Sequence, residues 1–219
     1  LKASLFSITF AAFNVLLAKL SGQDEIVVAV PSAGQSLMDN PNLVGHCMNL
    51  LPLRSQIDRE CTFAEFVSAT TSRILDAYDH QSCTLGQIVQ HIKVPRDASR
   101  LPLAEVNFNL DRDAAGVRLS GLDIEIAQIE KRAVNFELFF NLNESDQGLR
   151  LDLDYNTDIF DAETIRRWAR AFEVLLRAVT ANAELKIADI PLLGKEENLQ
   201  CMVSGDDSRS SGDQDPLVH

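Results

Sequence analysis

The sequence reads Arg-Asp-Ala-Ser-Arg-Leu-Pro-Leu from Arg96 to Leu103, and Val-Gly-His-Cys-Met-Asn-Leu-Leu-Pro-Leu-Arg from Val44 to Arg54. In the first stretch, charged and polar side chains crowd ahead of Pro102, which biases Leu101 toward extended backbone. An ion pair is expected there, because an arginine paired with a carboxylate holds a chain that enters a strand in place. The second stretch combines a glycine, an asparagine and a Leu-Pro-Leu-Arg ending, and we expect a strand.

A helix followed directly by a buried strand opens the chain. Apolar residues keep helical spacing from Leu5 to Leu20, and Gly22 stands where a left-handed C-terminal cap is expected. A β-branched run from Glu25 to Val30 follows, ended by Pro31, and has the composition of a strand buried on both faces. A helix followed by such a strand is typical of an α/β protein.

Three further helices are predicted from polar N-caps that precede apolar residues at helical spacing. Their caps are, in order, Thr62 with Glu65, Thr84 with Gln87, and Asp161. The second of these helices is short and ends near His91. Trp168 lies on the apolar stripe of the last helix, so we interpret it as a core residue.

From Ala104 onward the apolar period changes to two, which predicts four half-buried strands. Their apolar residues are Val106, Phe108 and Leu110, then Leu122, Ile124 and Ile126, then Val134, Phe136, Leu138 and Phe140, then Leu149, Leu151, Leu153 and Tyr155. The turn Asp146-Gln147-Gly148 predicts a hairpin between the last two. Residues 1–193 therefore form the folded unit, and residues 194–219 are predicted to be a linker because they carry too little apolar surface to offset the entropy of ordering.

Composition excludes several classes of function. Twenty basic and thirty-two acidic residues give a formal charge of −12, which repels nucleic acid and anionic membrane surfaces. The four cysteines are scattered without a Cys-x-x-Cys pair, so neither a zinc site nor a disulfide scaffold is indicated, and we interpret them as reduced thiols of a cytoplasmic protein. Lysines interrupt the only apolar stretch long enough to be a membrane segment, residues 1–20, which favours an amphipathic helix there.

The two opening stretches resemble signature motifs of the condensation domains of nonribosomal peptide synthetases. Further matches follow in the order of that family, over roughly residues 1–200: Phe13 to Gly34, Asp79-His80-Gln81, and Leu153-Asp154-Tyr155-Asn156-Thr157 followed by Phe160-Asp161. The resemblance implies an α/β chain that forms one lobe of a chloramphenicol acetyltransferase-like fold, with a mixed β-sheet covered by helices. It also implies that residues 194–219 lead toward an adenylation domain.

The paired histidine motif of that family, His-His followed by three residues and Asp-Gly, does not occur in this sequence. The four histidines are His46, His80, His91 and His219, and no two of them are adjacent. We therefore interpret the chain as the C-terminal lobe of a condensation domain, and we expect no catalytic residue within it. No metal-ligand spacing, phosphate-binding glycine loop or nucleophile elbow suggests another chemistry.

By resemblance, the strand within Val44 to Arg54 lines the channel in which donor and acceptor thioesters meet. Asn49 is then the candidate for a polar contact to substrate, and His46 and Cys47 would flank the channel. A structural role is equally compatible with the residues, with Asn49 satisfying backbone groups of a shaped strand. Both interpretations stay open.

Two charged motifs favour structure over catalysis. We interpret Arg96, Asp97, Ser99 and Arg100 as a structural motif, with a salt bridge rather than a substrate contact. Asp79 and His80 are adjacent, and adjacent side chains of an extended chain point apart, so a loop or capping role is favoured over a proton-sharing dyad.

The resemblance implies amide formation between carrier-bound thioesters, in nonribosomal peptide or hybrid polyketide–peptide biosynthesis. It implies no directly bound cofactor, because the phosphopantetheinyl arms of the carrier domains are the substrates. The implied partners are an N-terminal lobe, donor and acceptor carrier domains and an adenylation domain. Alternatives are a non-catalytic carrier-docking module, or a lobe of an epimerisation or heterocyclisation domain.

In the family, a segment of this half crosses over to the other lobe. We expect residues 111–129 to include that latch. Because exposed alternating strands are templates for pairing, dimerisation through the 111–129 segment is expected when the other lobe is absent.

Overall fold

The computed structural model describes residues 2–35, 42–92, 100–103, 105–112, 120–123 and 133–194. Within these ranges the chain forms four α-helices and five strands. In order they are α1 (Leu5–Ser21), β1 (Glu25–Ala33), β2 (Met48–Gln56), α2 (Phe63–Asp79), α3 (Leu85–Ile92), β3 (Val106–Arg112), β4 (Leu138–Ser145), β5 (Gly148–Tyr155) and α4 (Ala162–Ala181), followed by a single 3₁₀ turn at Ile187–Asp189. The predicted α/β class is confirmed.

The five strands form one mixed sheet in the order β2-β1-β3-β4-β5. The three central strands are parallel to one another, and the two outer strands run antiparallel to their neighbours. Strands β4 and β5 are joined as the predicted hairpin, with Ser145 opposite Gly148. Gly148 has a φ of 121°, which an L side chain rarely adopts, and this accounts for glycine at the turn.

Phenylalanine rings from α1, the sheet and α4 form the centre of the core. Phe13 of α1 lies 5.4 Å from Phe108 of β3 and 4.3 Å from Phe140 of β4, measured between ring centroids. Phe172 of α4 packs edge-on against Phe140 at 4.8 Å. Phe66 of α2 belongs to the same buried cluster, so the three long helices share one face of the sheet. Among the described residues, no helix is both long and apolar enough to cross a membrane.

The predicted helix caps are present. Gly22 ends α1 with a φ of 72°, and its N–H donates to the carbonyl of Ala18. Thr62 and Glu65 form a reciprocal capping box at the start of α2, and Asp161 accepts from the backbone of Thr164 at the start of α4. Trp168 packs half-buried against the core, with its ring 5.1 Å from that of Phe160.

Strand β1 continues through Pro31 to Ala33, so the expectation that Pro31 ends it was wrong. The backbone N–H of Gly34 donates to Cys47, and hydrogen-bonded pairs alternate along an antiparallel ladder. Pro31, three residues earlier, therefore directs its nitrogen away from β2. Because the pairing of β1 with β3 is confined to Ala29, a residue without an N–H is tolerated there.

Two other strand predictions need correction or fall partly outside the described residues. The strand predicted from Val134 begins only at Leu138 and extends to Ser145. Leu122 is exposed and lies outside any strand, whereas Ile124 and Ile126 are not among the described residues. Of the expected latch segment, Asp111 and Arg112 belong to β3 and residues 120–123 form a turn and the coil after it. The remainder of that segment is outside the described ranges, so the latch stays a prediction.

We predict that Leu175→Ala lowers the free energy of unfolding by about 2–5 kcal/mol, because it leaves a cavity in the packed core. Leu175 is fully buried on α4, whereas Leu75 on α2 is 61% exposed. The matched substitution Leu75→Ala should change stability by no more than about 0.5 kcal/mol. Urea unfolding of both variants measures the difference, and equal effects would contradict this description of the core.

We also predict that Gly34→Ala is destabilising by about 1–3 kcal/mol, because overpacking forces the backbone to shift. A Cβ at Gly34 would lie 2.1 Å from the carbonyl oxygen of Cys47, whereas one at Gly45 would meet nothing within 4 Å. The control Gly45→Ala should therefore leave the urea midpoint unchanged or slightly raised. A tolerated Gly34→Ala would show that the two strands do not approach this closely in solution.

Candidate functional site

The candidate site lies where β1 and β2 part, at the end of the parallel strand β1. The backbone N–H of Gly34 donates to the carbonyl of Cys47 over 2.9 Å, which closes the antiparallel pair at this end. The N–H of Cys47 donates to Gly45 over 3.1 Å, so the chain is bent just before β2 begins. The strands can approach this closely only because residue 34 is a glycine, since a Cβ at that position would collide with the carbonyl oxygen of Cys47.

Asn49, the second residue of β2, has its carboxamide engaged by backbone groups. Its Nδ2 donates to the carbonyls of Gln81 and Cys83, over 2.9 and 3.2 Å. Its Oδ1 accepts from the N–H of Leu50 over 2.9 Å. Because both amide hydrogens are directed at carbonyls, any further contact that Asn49 makes is made by Oδ1 as an acceptor.

Ser32 and Gln81 complete this arrangement, and sequence reasoning assigned neither of them a role. Ser32 is the register partner of Asn49 on β1 and is buried, and its Oγ donates to Gln81 Oε1 over 2.6 Å. We call these three residues, Ser32, Asn49 and Gln81, the strand–turn bridge, because they join both strands to the turn between α2 and α3. The only sequence signal was that Ser32 and Gln81 lie inside stretches that resemble the family.

The other two channel candidates lie just before β2. His46 is exposed, and Cys47 is a half-buried free thiol. The bend at Gly45 and the pairing of Cys47 with Gly34 hold this short segment at the end of β1. The structure therefore brings His46 and Cys47 close to Asn49 along the chain, whereas only Asn49 joins the strand–turn bridge.

His80 caps the C-terminus of α2, next to the strand–turn bridge. Its Nδ1 donates to the carbonyl of Asp76 over 2.8 Å and lies 3.7 Å from the Asp76 carboxylate. The pKa of His80 is raised, first by the hydrogen bond to that carbonyl and then by the nearby Asp76 charge. The sequence favoured a loop or capping role for His80, and its contacts are those of a helix cap.

Arg100 is the one member of the Arg96, Asp97, Ser99 and Arg100 motif that lies among the described residues. Its guanidinium lies 3.6 Å from a carboxylate oxygen of Glu105 and 3.4 Å from one of Glu137. The carbonyl of Glu105 also accepts from the N–H of Glu137 over 2.9 Å. Arg100 thus contacts the chain just before the parallel strands β3 and β4 begin, at the end of the sheet opposite to the strand–turn bridge.

The sheet face that carries no long helix is polar across β3, β4 and β5. Asn109 Nδ2 donates to Asn141 Oδ1 over 3.0 Å, and Asn143 Nδ2 donates to Asp152 Oδ2 over 2.6 Å. Asn107 is 1% exposed, and its Oδ1 has no hydrogen-bond partner in the described part of the chain. These asparagines occupy the polar positions of the period-two pattern in the sequence, whereas the strand prediction rests on the apolar positions.

Within residues 2–35, 42–92, 100–103, 105–112, 120–123 and 133–194, no group of three or more His, Cys, Asp or Glu side chains could hold a metal ion. Cys47, Cys61 and Cys83 are free thiols, and burial raises the pKa of Cys61. A raised pKa makes a thiol less reactive at neutral pH.

The raised pKa of His80 predicts a pH-dependent contribution to stability. A group whose pKa is higher in the folded state stabilises the fold below its unfolded pKa, about 6.5, and loses that contribution as the pH rises through the folded value. The melting temperature of the wild type should therefore exceed that of His80→Gln by more at pH 5 than at pH 8.5. A pH-independent difference between the two proteins would contradict the assignment of His80 as a charged cap.

Comparison with known proteins shows which family this chain resembles in sequence. The family described as "Condensation domain" matches residues 2–202. Surfactin synthase subunit 1 of Bacillus subtilis is 33% identical over 196 residues, and tyrocidine synthase 2 of Brevibacillus parabrevis is 34% identical over 208 residues. The matches cover 89% and 94% of this chain, whereas the chain spans 6% of the length of each synthase.

Solved structures show the same fold at lower identity. A four-domain nonribosomal peptide synthetase, holo-AB3403 bound to AMP and glycine, has a TM-score of 0.78 at 22% identity, covering 90% of this chain and 16% of that one. The X-domain from teicoplanin biosynthesis, solved in a complex with OxyB, has a TM-score of 0.77 at 23% identity, covering 89% and 44%. The chloramphenicol acetyltransferase-like fold expected from the sequence is confirmed. The chain belongs to the condensation domain family of nonribosomal peptide synthetases.

Proposed function

We propose that this chain is the C-terminal lobe of a condensation domain that forms amide bonds between carrier-bound thioesters. The observation that carries the proposal is the family match over residues 2–202. The chain also covers 44% of the X-domain chain, about the share expected of one lobe of two. The Asn-Leu-Leu-Pro-Leu-Arg ending of the motif at Val44 to Arg54 favours an ordinary condensation domain over an epimerisation or heterocyclisation domain.

In the proposed reaction, the amine nitrogen of an acceptor aminoacyl thioester attacks the carbonyl carbon of a donor thioester. A C–N bond forms, the donor C–S bond breaks, and the amine gives up a proton as the donor thiol is released. Both thioesters are carried on phosphopantetheinyl arms, so no separate cofactor is required. Holding two reactants together in the right orientation can lower the barrier by up to about 7–11 kcal/mol, whereas a general base typically adds about 10²–10⁴-fold to the rate.

The contribution of this chain is therefore to hold and orient the substrates rather than to move the proton. Asn49 has both amide hydrogens committed to carbonyls. Toward a substrate it offers only the Oδ1 acceptor, which suits an N–H group such as the acceptor amine and does not suit an oxyanion. His46 and Cys47 would flank the channel at the bend before β2.

The proposed partners follow from the same function. An N-terminal lobe would supply the paired histidines and the second wall of the channel, and residues 111–129 would include the latch that reaches it. Donor and acceptor carrier domains would deliver the thioesters. Residues 194–219 would connect this lobe to an adenylation domain, in a cytoplasmic synthetase.

A second function is favoured by one specific observation. The X-domain, which shares this fold with a TM-score of 0.77, was solved in a complex with a second protein, OxyB. A non-catalytic docking module is therefore the alternative to an amide-forming lobe. The two proposed functions differ in one respect. The parent synthetase, meaning the larger protein of which this chain would be one lobe, needs the lobe either for amide formation or only for recruiting a partner.

We predict that the isolated chain forms no amide when it is mixed with donor-loaded and acceptor-loaded carrier domains, because it contains no paired histidines to accept the proton. The parent synthetase should form the amide under the same conditions, measured by mass spectrometry of the acceptor arm. Turnover by the isolated chain would overturn the lobe assignment. A parent that binds loaded carriers but forms no amide would favour the docking module instead.

A further inference from the structure

The geometry points to Gln81 as a positioning residue that fixes the orientation of the Asn49 carboxamide, and this inference rests on the proposed function for its catalytic consequence. Gln81 uses two different groups for two neighbouring strands. Its side-chain Oε1 accepts from Ser32 of β1, and its backbone carbonyl accepts from Asn49 of β2. A single residue outside the sheet thereby connects the two strands at the place where they separate.

Ser32 and Asn49 lie directly opposite each other in the ladder, so Gln81 is held against a cross-strand pair. Ser32 is 3% exposed, and its hydroxyl would be left without its partner if the Gln81 side chain were removed. A buried polar group that loses its partner is unfavourable, so the local structure rearranges. The carbonyl of Gln81 would move with that rearrangement, and Asn49 would lose its alignment.

The turn that carries Gln81 is fixed on both sides, so the position of its acceptors is well defined. The N–H of Gln81 donates to the carbonyl of Tyr78 over 3.2 Å at the end of α2. On the other side, the N–H of Cys83 donates to His80 over 3.0 Å. The N–H of Thr84 donates to Gln87 Oε1 over 2.8 Å in the capping box of α3.

This arrangement makes a distinct prediction for catalysis. A misplacement of about 1 Å at a reacting centre can lower a rate about 10²-fold. Removing the Gln81 acceptor should therefore lower kcat of the parent synthetase, by up to about 100-fold, and leave KM for the acceptor carrier little changed. The reason is that Asn49 would be misaligned while the surface that binds the carrier stays intact.

The experiment compares Gln81→Leu, which removes the acceptor oxygen, with Gln81→Glu, which keeps it. Gln90→Leu is the matched control, because Gln90 is exposed on α3. Steady-state assays on the parent synthetase give kcat and KM, and NMR of the isotope-labelled chain follows the side-chain amide protons of Asn49. We expect a fall in kcat and faster exchange of these protons in Gln81→Leu, recovery in Gln81→Glu, and no change in Gln90→Leu.

Unchanged Asn49 amide protons in Gln81→Leu would overturn the inference, as would equal kinetic effects in Gln81→Leu and Gln90→Leu. If Gln81→Leu does not fold, Ser32→Ala removes the same hydrogen bond from the donor side and must change the Asn49 amide signals in the same way. If the parent forms no amide at all, the proposed function fails. The amide signals then still decide whether Gln81 positions Asn49.

Discussion

The packing of α1 against the centre of the sheet is the interaction on which the rest of the structure depends. Phe13 contacts both Phe108 and Phe140, and Phe140 in turn contacts Phe172 of α4. These rings join one helix, two parallel strands and a second helix that are distant in sequence. Aromatic rings bury large apolar areas, so this cluster supplies much of the driving force that keeps the strand order.

The candidate site depends on that core indirectly, through the position of β1. Val28 and Val30 of β1 lie in the buried cluster, which holds the strand in place up to Ser32. Beyond Ser32, hydrogen bonds replace apolar packing as the means of fixing the chain. The transition from packed to hydrogen-bonded residues occurs within a few residues of β1, and it lies opposite Asn49 of the strand that the family resemblance assigns to the channel.

The sequence predicted those features whose causes are local. The capping box of Thr62 and the left-handed cap at Gly22 depend on residues within four positions, and both are present. The passage of β1 through Pro31 was missed because it depends on which neighbour the nitrogen faces. The Ser32–Gln81 contact joins residues 49 positions apart, and a single side-chain hydrogen bond leaves no periodic signal. The family resemblance made Asn49 a candidate for substrate contact, but its hydrogen-bond partners depend on the tertiary fold.

The polar row of asparagines makes the two faces of the sheet different: one face is apolar and covered by the long helices, and the other carries polar side chains. On one face, phenylalanine and leucine exclude water. On the other, Asn109 donates to Asn141, and Asn143 donates to Asp152. Binding of a partner to the second face would replace hydrogen bonds to water with hydrogen bonds to the partner, and it would bury little apolar surface. The net free energy of such an exchange is small. Contact with a partner on that side would therefore add little free energy, so association there would stay readily reversible.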